Sequence, residues 1–265
     1  MTFNEELSIK GFSIIKDVFE NNFVYKLRDF LLNLKEDDIN TNGIEYLLKI
    51  KDYEHIRDLA SKDKLFIKLI EHHILNKYVD MALNNKAVIH SYNAIITDPI
   101  RNSDALGFRF HRDMPWFPKT RTAINIFIPL VDFNSSSGAT QIVPGTHLFE
   151  KMPSNEYLED NCQPLEMPIN SICIMDSTVY HRAGKNKSKN NRPMITIKYT
   201  LAPFKQQIDF CKTKEYSFKD LSEIAKQRLG WNVRVCENEE EFREDPKTRR
   251  WKSGQYDMSN TNIDF

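Results

Sequence analysis

The segment Thr122–Val131 is the feature that most restricts the fold of this chain. Side chains of an extended strand alternate between two faces. One face of this segment carries four aliphatic side chains, Ile124, Ile126, Ile128 and Leu130. The other face carries Asn125 and Phe127. A strand with apolar residues on both faces is covered on both, so the segment predicts a strand in one sheet of a sandwich.

Other short strands occur before and after this segment, with turn residues between them. The predicted strands are Gly11–Ile15, Val88–Ile96, Phe108–Asp113, Ala139–Val143, Ile172–Met175 and Met194–Leu201. Helical periodicity predicts an amphipathic helix through Phe23, Leu27 and Leu34, and a second helix from about Asp63 to Leu83. Many short strands separated by turns favour a mainly β fold with flanking α-helices. The type we expect is the double-stranded β-helix, a jelly roll or cupin-like fold.

The length of the chain fits one domain, because all-β barrels and sandwiches of 265 residues often remain single. We expect a single domain over residues 1–265, with a mostly helical flank at 1–86 and a jelly-roll core at 87–203. A polar C-terminal extension at 204–265 completes it, where the apolar density falls and a charged run, Glu237–Arg250, begins.

The charge balance and the cysteines restrict the partners and the compartment. Lys and Arg number 37 and Asp and Glu also number 37, so no global field favours nucleic acid or an anionic membrane. The four cysteines lack Cys-x-x-Cys spacing, the N-terminus does not read as a secretory signal, and no apolar stretch reaches transmembrane length. We expect a cytoplasmic protein with reduced thiols that acts on a small molecule, without nucleic-acid or membrane partners. The oligomeric state stays open.

A His-x-Asp pair, His111 and Asp113, is the strongest chemical signal. In a strand both side chains emerge from one face, where they form a two-point clamp for a divalent metal. A third ligand from a distant strand, His181, completes a set of two imidazoles and one carboxylate. This set with open positions on the metal is the arrangement of non-haem iron(II) oxygenases. A His-x-Asp pair alone is a weak pattern, so its companions decide the interpretation.

Arg192 is the companion with the clearest role. It stands directly before the strand that begins at Pro193 and Met194. An arginine at the mouth of a strand-built pocket offers a planar, permanently charged fork for a carboxylate. The distal carboxylate of 2-oxoglutarate is such a group. We interpret His147 as structural, because the metal triad is complete without it.

Three segments carry a family resemblance: His111–Pro118, Gly138–His147 and His181–Ser188. Together they resemble the phytanoyl-CoA dioxygenase family of iron(II)/2-oxoglutarate oxygenases. The early segment Gly11–Val18, followed by a helix, is similar to the start of that family. The resemblance runs from about Gly11 to Pro203 and leaves the C-terminal extension outside.

The resemblance implies a set of functional residues and cofactors. His111, Asp113 and His181 are implied to bind iron(II), Arg192 to bind 2-oxoglutarate, and O2 to be the second co-substrate. These four residues are the implied catalytic set. The predicted activity is hydroxylation of an unactivated C–H bond of a lipid-acyl, amino-acid, sugar or natural-product substrate, with release of succinate and CO2.

The resemblance also assigns the surroundings of the co-substrate. Phe127 stands where the family often places an aromatic residue beside it, and Asn125 shares the predicted face. Ala183 stands where the family often has a small hydroxyl residue that helps to hold the co-substrate, so Arg192 has less help here. Halogenating relatives replace the metal-binding carboxylate with a small residue, whereas this chain keeps Asp113. Hydroxylation is therefore favoured over halogenation.

Two other functions are compatible with the residues alone. The same triad in a cupin-type hydrolase or isomerase would hold zinc or manganese and activate water, but that reading leaves Arg192 unexplained. A non-enzymatic jelly-roll binding module would keep the fold without turnover, and Ala183 is compatible with it. The identity of the metal separates the oxygenase from the hydrolase, and consumption of 2-oxoglutarate separates it from both.

Overall fold

A computed structural model describes residues 1–99, 106–212, 220–236 and 238–245 of the chain. Its α-helices are α1 Phe3–Ile9, α2 Asn21–Asn42, α3 Ile44–Lys49, α4 Lys64–Ile70, α5 His73–Ala82, α6 Asn155–Asp160, α7 Glu223–Leu229 and α8 Glu239–Phe242. Its strands are β1 Phe12–Ile15, β2 His55–Ile56, β3 Val88–Thr97, β4 Ala123–Pro129, β5 Gln141–Ile142, β6 Gln163–Pro164, β7 Ile172–Asp176, β8 His181–Arg182 and β9 Arg192–Thr200.

Six of the described strands form one antiparallel sheet in the order β1-β7-β4-β9-β3-β2. The other three form a small second sheet in the order β6-β5-β8. β4 pairs along both edges, with β7 and with β9, and both of its faces are buried, as the apolar residues on the two faces predict. The result is an open sandwich of mainly antiparallel strands with flanking helices, which confirms the predicted fold class.

Helices cover one face of the larger sheet. Ile124, Ile126 and Ile128 of β4 and the following Leu130 belong there to one large, solvent-excluded cluster with Leu27 and Leu31 of α2 and Phe66 of α4. Full burial of each such side chain contributes about 1.5–3 kcal/mol to the free energy of unfolding. This packing holds the larger sheet rigid, so that the residues on its opposite face have fixed positions.

That opposite face lies against the smaller sheet and forms a thinner apolar layer. Phe127 of β4, Met194 of β9, and Cys173 and Met175 of β7 pack there with Ile142 of β5. By alternation, the polar residues of β4 and β9 that share this face point into the space between the two sheets. The candidate functional residues lie in this space.

The predicted strand Phe108–Asp113 is wrong. The segment is a loop that follows a 3-10 turn at Leu106–Phe108, and His111 is its one bridging residue, paired with His181. The backbone N–H groups of Asp113 and Met114 both donate to the carbonyl of Ser177, at 2.9 and 3.2 Å. The chain therefore turns around this carbonyl instead of continuing along a partner strand.

The predicted helix Asp63–Leu83 is two helices, α4 and α5. The buried side chain of Asn76 donates from Nδ2 to the carbonyls of Ile70 and His72, at 2.7 and 3.0 Å. The bond to Ile70 satisfies a carbonyl that a continuous helix would pair with a backbone N–H group, whereas the carbonyl of His72 also accepts from the backbone N–H of Asn76 at 3.0 Å. A side chain thus stabilises the break, although the apolar periodicity continues through it.

The C-terminal part contains α7 and α8. Glu237, where the charged run begins, and residues 246–265 lie outside the described residues. Among the helices of the described ranges, none combines the length and the apolar character that crossing a membrane requires.

Candidate metal centre

The structure brings His111, Asp113 and His181 together between the two sheets. One ligand atom from each lies within 4.8 Å of the others, and no other such cluster of three occurs in the described ranges. Nε2 of His111 is 3.4 Å from Oδ1 of Asp113, and the centroids of the two imidazole rings are 4.4 Å apart. Metal–ligand bonds of about 2 Å place neighbouring ligand atoms roughly 3 Å apart, so a small closure onto one ion is sufficient.

Backbone hydrogen bonds place the two histidines opposite each other. His111 N donates to His181 O at 3.0 Å, and His181 N donates to His111 O at 3.1 Å. His181 also belongs to β8, which pairs with Ile142 of β5. The loop around His111 is thereby attached to the edge of the smaller sheet, and both rings share one face of this short ladder.

Each imidazole has its Nδ1 occupied by a backbone carbonyl. Nδ1 of His111 is 2.8 Å from the carbonyl oxygen of Arg109, and Nδ1 of His181 is 3.1 Å from that of Val179. A carbonyl only accepts hydrogen bonds, so Nδ1 carries the proton in both rings. Nε2 is left as the metal-ligating nitrogen in both, as second-shell carbonyls commonly arrange.

The carboxylate of Asp113 is held through one of its oxygens. Asn125 donates from Nδ2 to Oδ2 at 2.8 Å, and the ammonium of Lys198 lies 3.5 Å from the same oxygen. Oδ1 remains directed at His111. Burial raises the pKa of Asp113, but the hydrogen bond with His111 and the charge of Lys198 outweigh it and hold this pKa well below its usual value. The carboxylate is therefore charged, as a metal ligand must be.

The two histidines differ in their electrostatics. Burial lowers the pKa of His181, so this imidazole is the neutral one at neutral pH. Burial also acts to lower the pKa of His111, but its hydrogen bond with Asp113 raises the pKa above the ordinary value. A divalent cation that binds Nε2 of His111 would displace a proton from that atom, as in other sites where metal binding releases protons. Two neutral imidazoles and one carboxylate suit iron(II).

Arg192 is a buried cation without a carboxylate partner among the described residues. Its side chain is 2% exposed, its Nη2 donates to Oγ1 of Thr97 at 2.8 Å, and its guanidinium lies 4.6 Å from the ring centroid of Phe133. Its Nε and Nη1 have no hydrogen-bond partner in the part of the chain that the structure describes. Burial lowers the pKa of Arg192 to about 10, and the charge of Glu54 opposes this shift, so the group stays cationic at neutral pH.

Two buried N–H groups on a cation constitute a place for an anion, because an unpaired buried donor costs about 1–3 kcal/mol. Arg192 and Lys198 lie on the same face of β9 by alternation, the face toward the smaller sheet. The end of this face at Lys198 is the end that contacts Asp113. The chemistry of these groups, a metal cluster and a buried guanidinium on the same side of the sheet, suits a ligand that carries two carboxylates. 2-Oxoglutarate is such a ligand.

The other predicted residues lie around this face. Phe127 is opposite Thr196 of β9, and its ring centroid is 6.1 Å from that of His181. Asn125 is opposite Lys198 and contacts Asp113 rather than Arg192. Ala183 directly follows β8, and its backbone N–H donates to the carbonyl of Gly107 at 2.6 Å. Its methyl group offers no hydrogen bond to a ligand.

His147 lies outside the metal cluster. Its Nε2 is 3.0 Å from the carbonyl oxygen of Ser8, and its own carbonyl accepts a hydrogen bond from Nε1 of Trp116 at 3.0 Å. These contacts attach the turn after β5 to the end of α1 and to Trp116. The geometry thus agrees with a structural interpretation of this histidine.

Sequence reasoning missed Lys198. The strand around it is apolar and buried at Ile195, Ile197 and Tyr199, so a lysine at an alternate position was the available signal. A cation on the inner face of such a strand requires a partner, and here Asp113 supplies it. The partner was invisible in the sequence because the loop that carries it is far away along the chain.

Comparisons with known proteins agree with this geometry. The family model described as phytanoyl-CoA dioxygenase (PhyH) matches residues 8–194, a range that includes the triad and Arg192. The uncharacterized protein Rv1501 of Mycobacterium tuberculosis is 28% identical over 256 residues, covering 95% of this chain and 94% of the relative. The iron/alpha-ketoglutarate-dependent dioxygenase ausO of Aspergillus calidoustus is 23% identical, covering 77% of this chain and 76% of its own length.

A solved structure extends the likeness to the fold. AviO1 from Streptomyces viridochromogenes Tue57 superposes with a TM-score of 0.59 at 18% identity, covering 75% of this chain and 93% of its own. At this identity the likeness is one of fold.

Proposed function

We propose a reaction for this chain from one premise: it belongs to the phytanoyl-CoA dioxygenase family. It is an iron(II)/2-oxoglutarate-dependent dioxygenase that uses iron(II), 2-oxoglutarate and O2 on a small-molecule substrate. The hydrolase, isomerase and binding-module readings of the sequence are thereby set aside. The reaction that we propose is hydroxylation of an unactivated C–H bond, with release of succinate and CO2.

In this proposal His111 and His181 ligate iron(II) through Nε2, and Asp113 through Oδ1. When bound, iron(II) with 2-oxoglutarate supplies the activation of O2 and the oxidising power. The protein's residues do the rest. The carbonyls of Arg109 and Val179 hold both imidazoles in the ligating tautomer, and Asn125 and Lys198 orient the carboxylate. The two sheets exclude water and aim one C–H bond of the substrate at the metal.

The buried guanidinium of Arg192 is the observation that carries the proposal. Its Nε and Nη1 lack partners among the described residues, which suits an anionic ligand, and a zinc- or manganese-dependent hydrolase leaves such a group unexplained. Charge-assisted hydrogen bonds from a buried arginine are among the strongest that a protein makes. Phe133 packs against the guanidinium and shields it from solvent. Phe127 is proposed to pack beside the co-substrate. Because Ala183 has no hydroxyl group, Arg192 is proposed to be the principal anchor of the co-substrate.

Asp113 distinguishes hydroxylation from halogenation. A halogenating enzyme needs a metal position for chloride, and the carboxylate occupies that position here. Its half-buried side chain, with the amide of Asn125 and the ammonium of Lys198 near Oδ2, supports a ligand role for Oδ1. The substrate is proposed to be a lipid-acyl, amino-acid, sugar or natural-product molecule, met in the cytoplasm.

Succinate formation tests the proposal. Iron(II)-loaded protein is incubated with 2-oxoglutarate and 18O2 against panels of the four substrate types, and succinate and labelled product are measured. We expect succinate in proportion to the 2-oxoglutarate consumed, and a product that gains one 18O atom. Asp113→Ala should form neither, whereas Asp37→Ala, which removes an exposed carboxylate on α2, should behave as the wild type. Intact 2-oxoglutarate with iron bound, or a labelled product in Asp113→Ala, would overturn the proposal.

A further inference from the structure

Both histidines of the metal cluster lie in the same kind of tripeptide. The first is Phe110-His111-Arg112 and the second is Tyr180-His181-Arg182. Each histidine is preceded by an aromatic residue and followed by an arginine. The two tripeptides are distant in the chain, and the antiparallel bridge between His111 and His181 places them side by side.

An antiparallel bridge sets the residue after one histidine opposite the residue before the other. Arg112 therefore faces Tyr180, and its guanidinium carbon is 4.4 Å from the centroid of that ring. Arg182 faces Phe110, and its guanidinium carbon is 4.1 Å from that centroid. Both distances lie well inside the range of about 6 Å in which a cation is attracted to an aromatic face. The bridge thus carries two reciprocal arginine–aromatic pairs.

These pairs occupy the side of the ladder opposite the metal ligands. Because side chains alternate, the residues next to His111 and His181 point away from the space between the sheets. Phe110 and Tyr180 pack there with Leu158 of α6 and with Val143, in a small apolar cluster separate from the two main ones. The pairs consequently lie on the face of the ladder that is turned away from the metal cluster.

Both arginines are anchored at their outer ends. Arg112 donates to the carbonyls of Phe149 and Glu150, the latter at 2.9 Å. Arg182 donates from Nε to Oε1 of Gln141 at 2.6 Å and, through both terminal nitrogens, to the carboxylate of Glu159 at 2.6 and 2.7 Å. Each guanidinium plane is therefore fixed over its ring by contacts on a second element.

The backbone bonds between the two segments that carry these histidines are few and irregular: Ala183 N donates to the carbonyl of Gly107 at 2.6 Å on one side of the bridge, and Asp113 N donates to that of Ser177 at 2.9 Å on the other. His111 is in a loop, β8 is two residues long, and the bridge consists of two backbone hydrogen bonds. In a regular sheet, neighbouring ladder bonds would hold this pair. In the described part of the loop, the residues flanking His111 do not continue the ladder.

We propose that the two arginine–aromatic pairs, Arg112 with Tyr180 and Arg182 with Phe110, form a clasp that sets the separation of His111 and His181 and so the affinity for iron(II). The four clasp residues are positioning residues, since they act on the metal through His111 and His181 and are not themselves part of the metal cluster. The clasp rests on the proposed metal site, whose own test is whether the wild type binds iron(II).

Tyr180 offers a matched pair of variants. Tyr180→Leu removes the aromatic face but stays apolar, and Tyr180→Phe keeps the face. The dissociation constant for iron(II) is measured anaerobically by titration, with circular dichroism and the melting temperature as controls of folding. We expect Tyr180→Leu to bind iron(II) about tenfold more weakly, the lower end for partners that orient metal ligands, and Tyr180→Phe to retain the wild-type affinity.

Another arginine–tyrosine pair provides a control. Arg28 lies over Tyr25 at 5.0 Å on α2, and Tyr25 is 41% exposed. Tyr25→Leu removes a comparable pair and should leave iron(II) affinity unchanged. Should Tyr180→Leu fail to fold, Arg112→Lys replaces it, because lysine keeps the charge and loses the planar stacking.

The outcomes separate the clasp from the metal site. Equal affinity in folded Tyr180→Leu and Tyr180→Phe, or in folded Arg112→Lys and wild type, overturns the clasp and leaves the metal site in place. A wild type that does not bind iron(II) overturns the metal site itself. Weak binding in Tyr25→Leu would show that the loss is not specific to the bridge, and would also overturn the clasp.

Discussion

Asn125 donates a hydrogen bond from Nδ2 to Oδ2 of Asp113 at 2.8 Å, from the middle of the central strand to the loop that carries two of the metal ligands. This contact links the most predictable element of the fold to its least predictable segment. The strand supplies a rigid, fully buried donor, and the loop supplies the carboxylate that it orients. Oδ1 of Asp113 is left directed at His111 and at the position of the metal.

Replacing the donor tests this orientation. Asn125→Ala should weaken iron(II) binding by about tenfold, because the carboxylate loses the bond that fixes its rotation. The measurement is an anaerobic titration with iron(II). Asn42→Ala removes an equivalent amide–carboxylate bond, to Asp38 at 2.7 Å on the exposed face of α2, and should leave the affinity unchanged. An Asn125→Ala protein with wild-type affinity would contradict the role of this bond.

Removing the guanidinium tests the co-substrate site. Arg192→Met should raise the apparent KM for 2-oxoglutarate about 10- to 100-fold, the equivalent of losing hydrogen bonds from a charged group. Iron(II) binding should persist. The free energy of unfolding without 2-oxoglutarate should stay within about 1 kcal/mol of the wild type or rise, since replacement of a buried charge by an apolar side chain is often neutral or stabilising.

The readouts for this variant are initial rates against 2-oxoglutarate concentration and urea unfolding. Arg28→Met, which alters an arginine on α2 far from the site, is the control. An unchanged KM for 2-oxoglutarate, in a folded variant that binds iron(II), would remove Arg192 from the co-substrate site.

His55 makes the stability of the fold depend on pH. Burial and the charge of Arg57 lower the pKa of His55 to about 4, against the partial opposing effect of Asp52. The unfolded chain, with a histidine pKa near 6.5, therefore binds more protons than the folded chain between these values. The free energy of unfolding should fall as the pH decreases from 6.5 toward 4 and be fully present above 6.5.

Urea unfolding at about pH 7 and about pH 4.5 measures this dependence. His55→Gln should reduce the difference between the two conditions by about 1–3 kcal/mol, whereas His73→Gln, an exposed site on α5, should leave it intact. Equal pH dependence in His55→Gln and the wild type would contradict the assignment.

Asn76 stabilises the break between α4 and α5. Asn76→Ala removes two hydrogen bonds to carbonyls and the acceptor of Nε of Arg228, which donates to Oδ1 of Asn76 at 2.8 Å. Because this leaves buried polar groups unsatisfied, the free energy of unfolding should decrease by about 1–3 kcal/mol. Urea unfolding measures it. A variant as stable as the wild type would show that the two helices are separated by other contacts.

The strands were largely predictable because a period of two and the turn residues are local signals. Val88–Thr97, Ala123–Pro129, Ile172–Asp176 and Arg192–Thr200 lie close to the predicted ranges. The loop at His111 was not predictable, because its conformation depends on the carbonyl of Ser177, a partner distant in sequence. The helix break at Glu71–His72 was hidden for a similar reason, since a side chain creates it against an uninterrupted apolar pattern.

The sequence predicted which residues form the site, but not the contacts that hold them in position. The combination of His111, Asp113, His181 and Arg192 identified the chemistry, and the structure brings the triad together. The contact of Lys198 with Asp113 and the reciprocal pairs of Arg112 and Arg182 arise from strand register, which no local pattern encodes. The repeated aromatic-His-Arg tripeptide was nevertheless a visible sign of the latter.

The charge-transfer absorbance of an anaerobic iron(II)–2-oxoglutarate complex tests the central claim most directly. Iron(II) and then 2-oxoglutarate are added to the apo-protein, and the visible metal-to-ligand band of the bidentate chelate is recorded. We predict the band in the wild type and in His73→Ala, and its loss in His181→Ala. No band in folded wild-type protein with iron(II) bound, or an undiminished band in His181→Ala, would contradict the account.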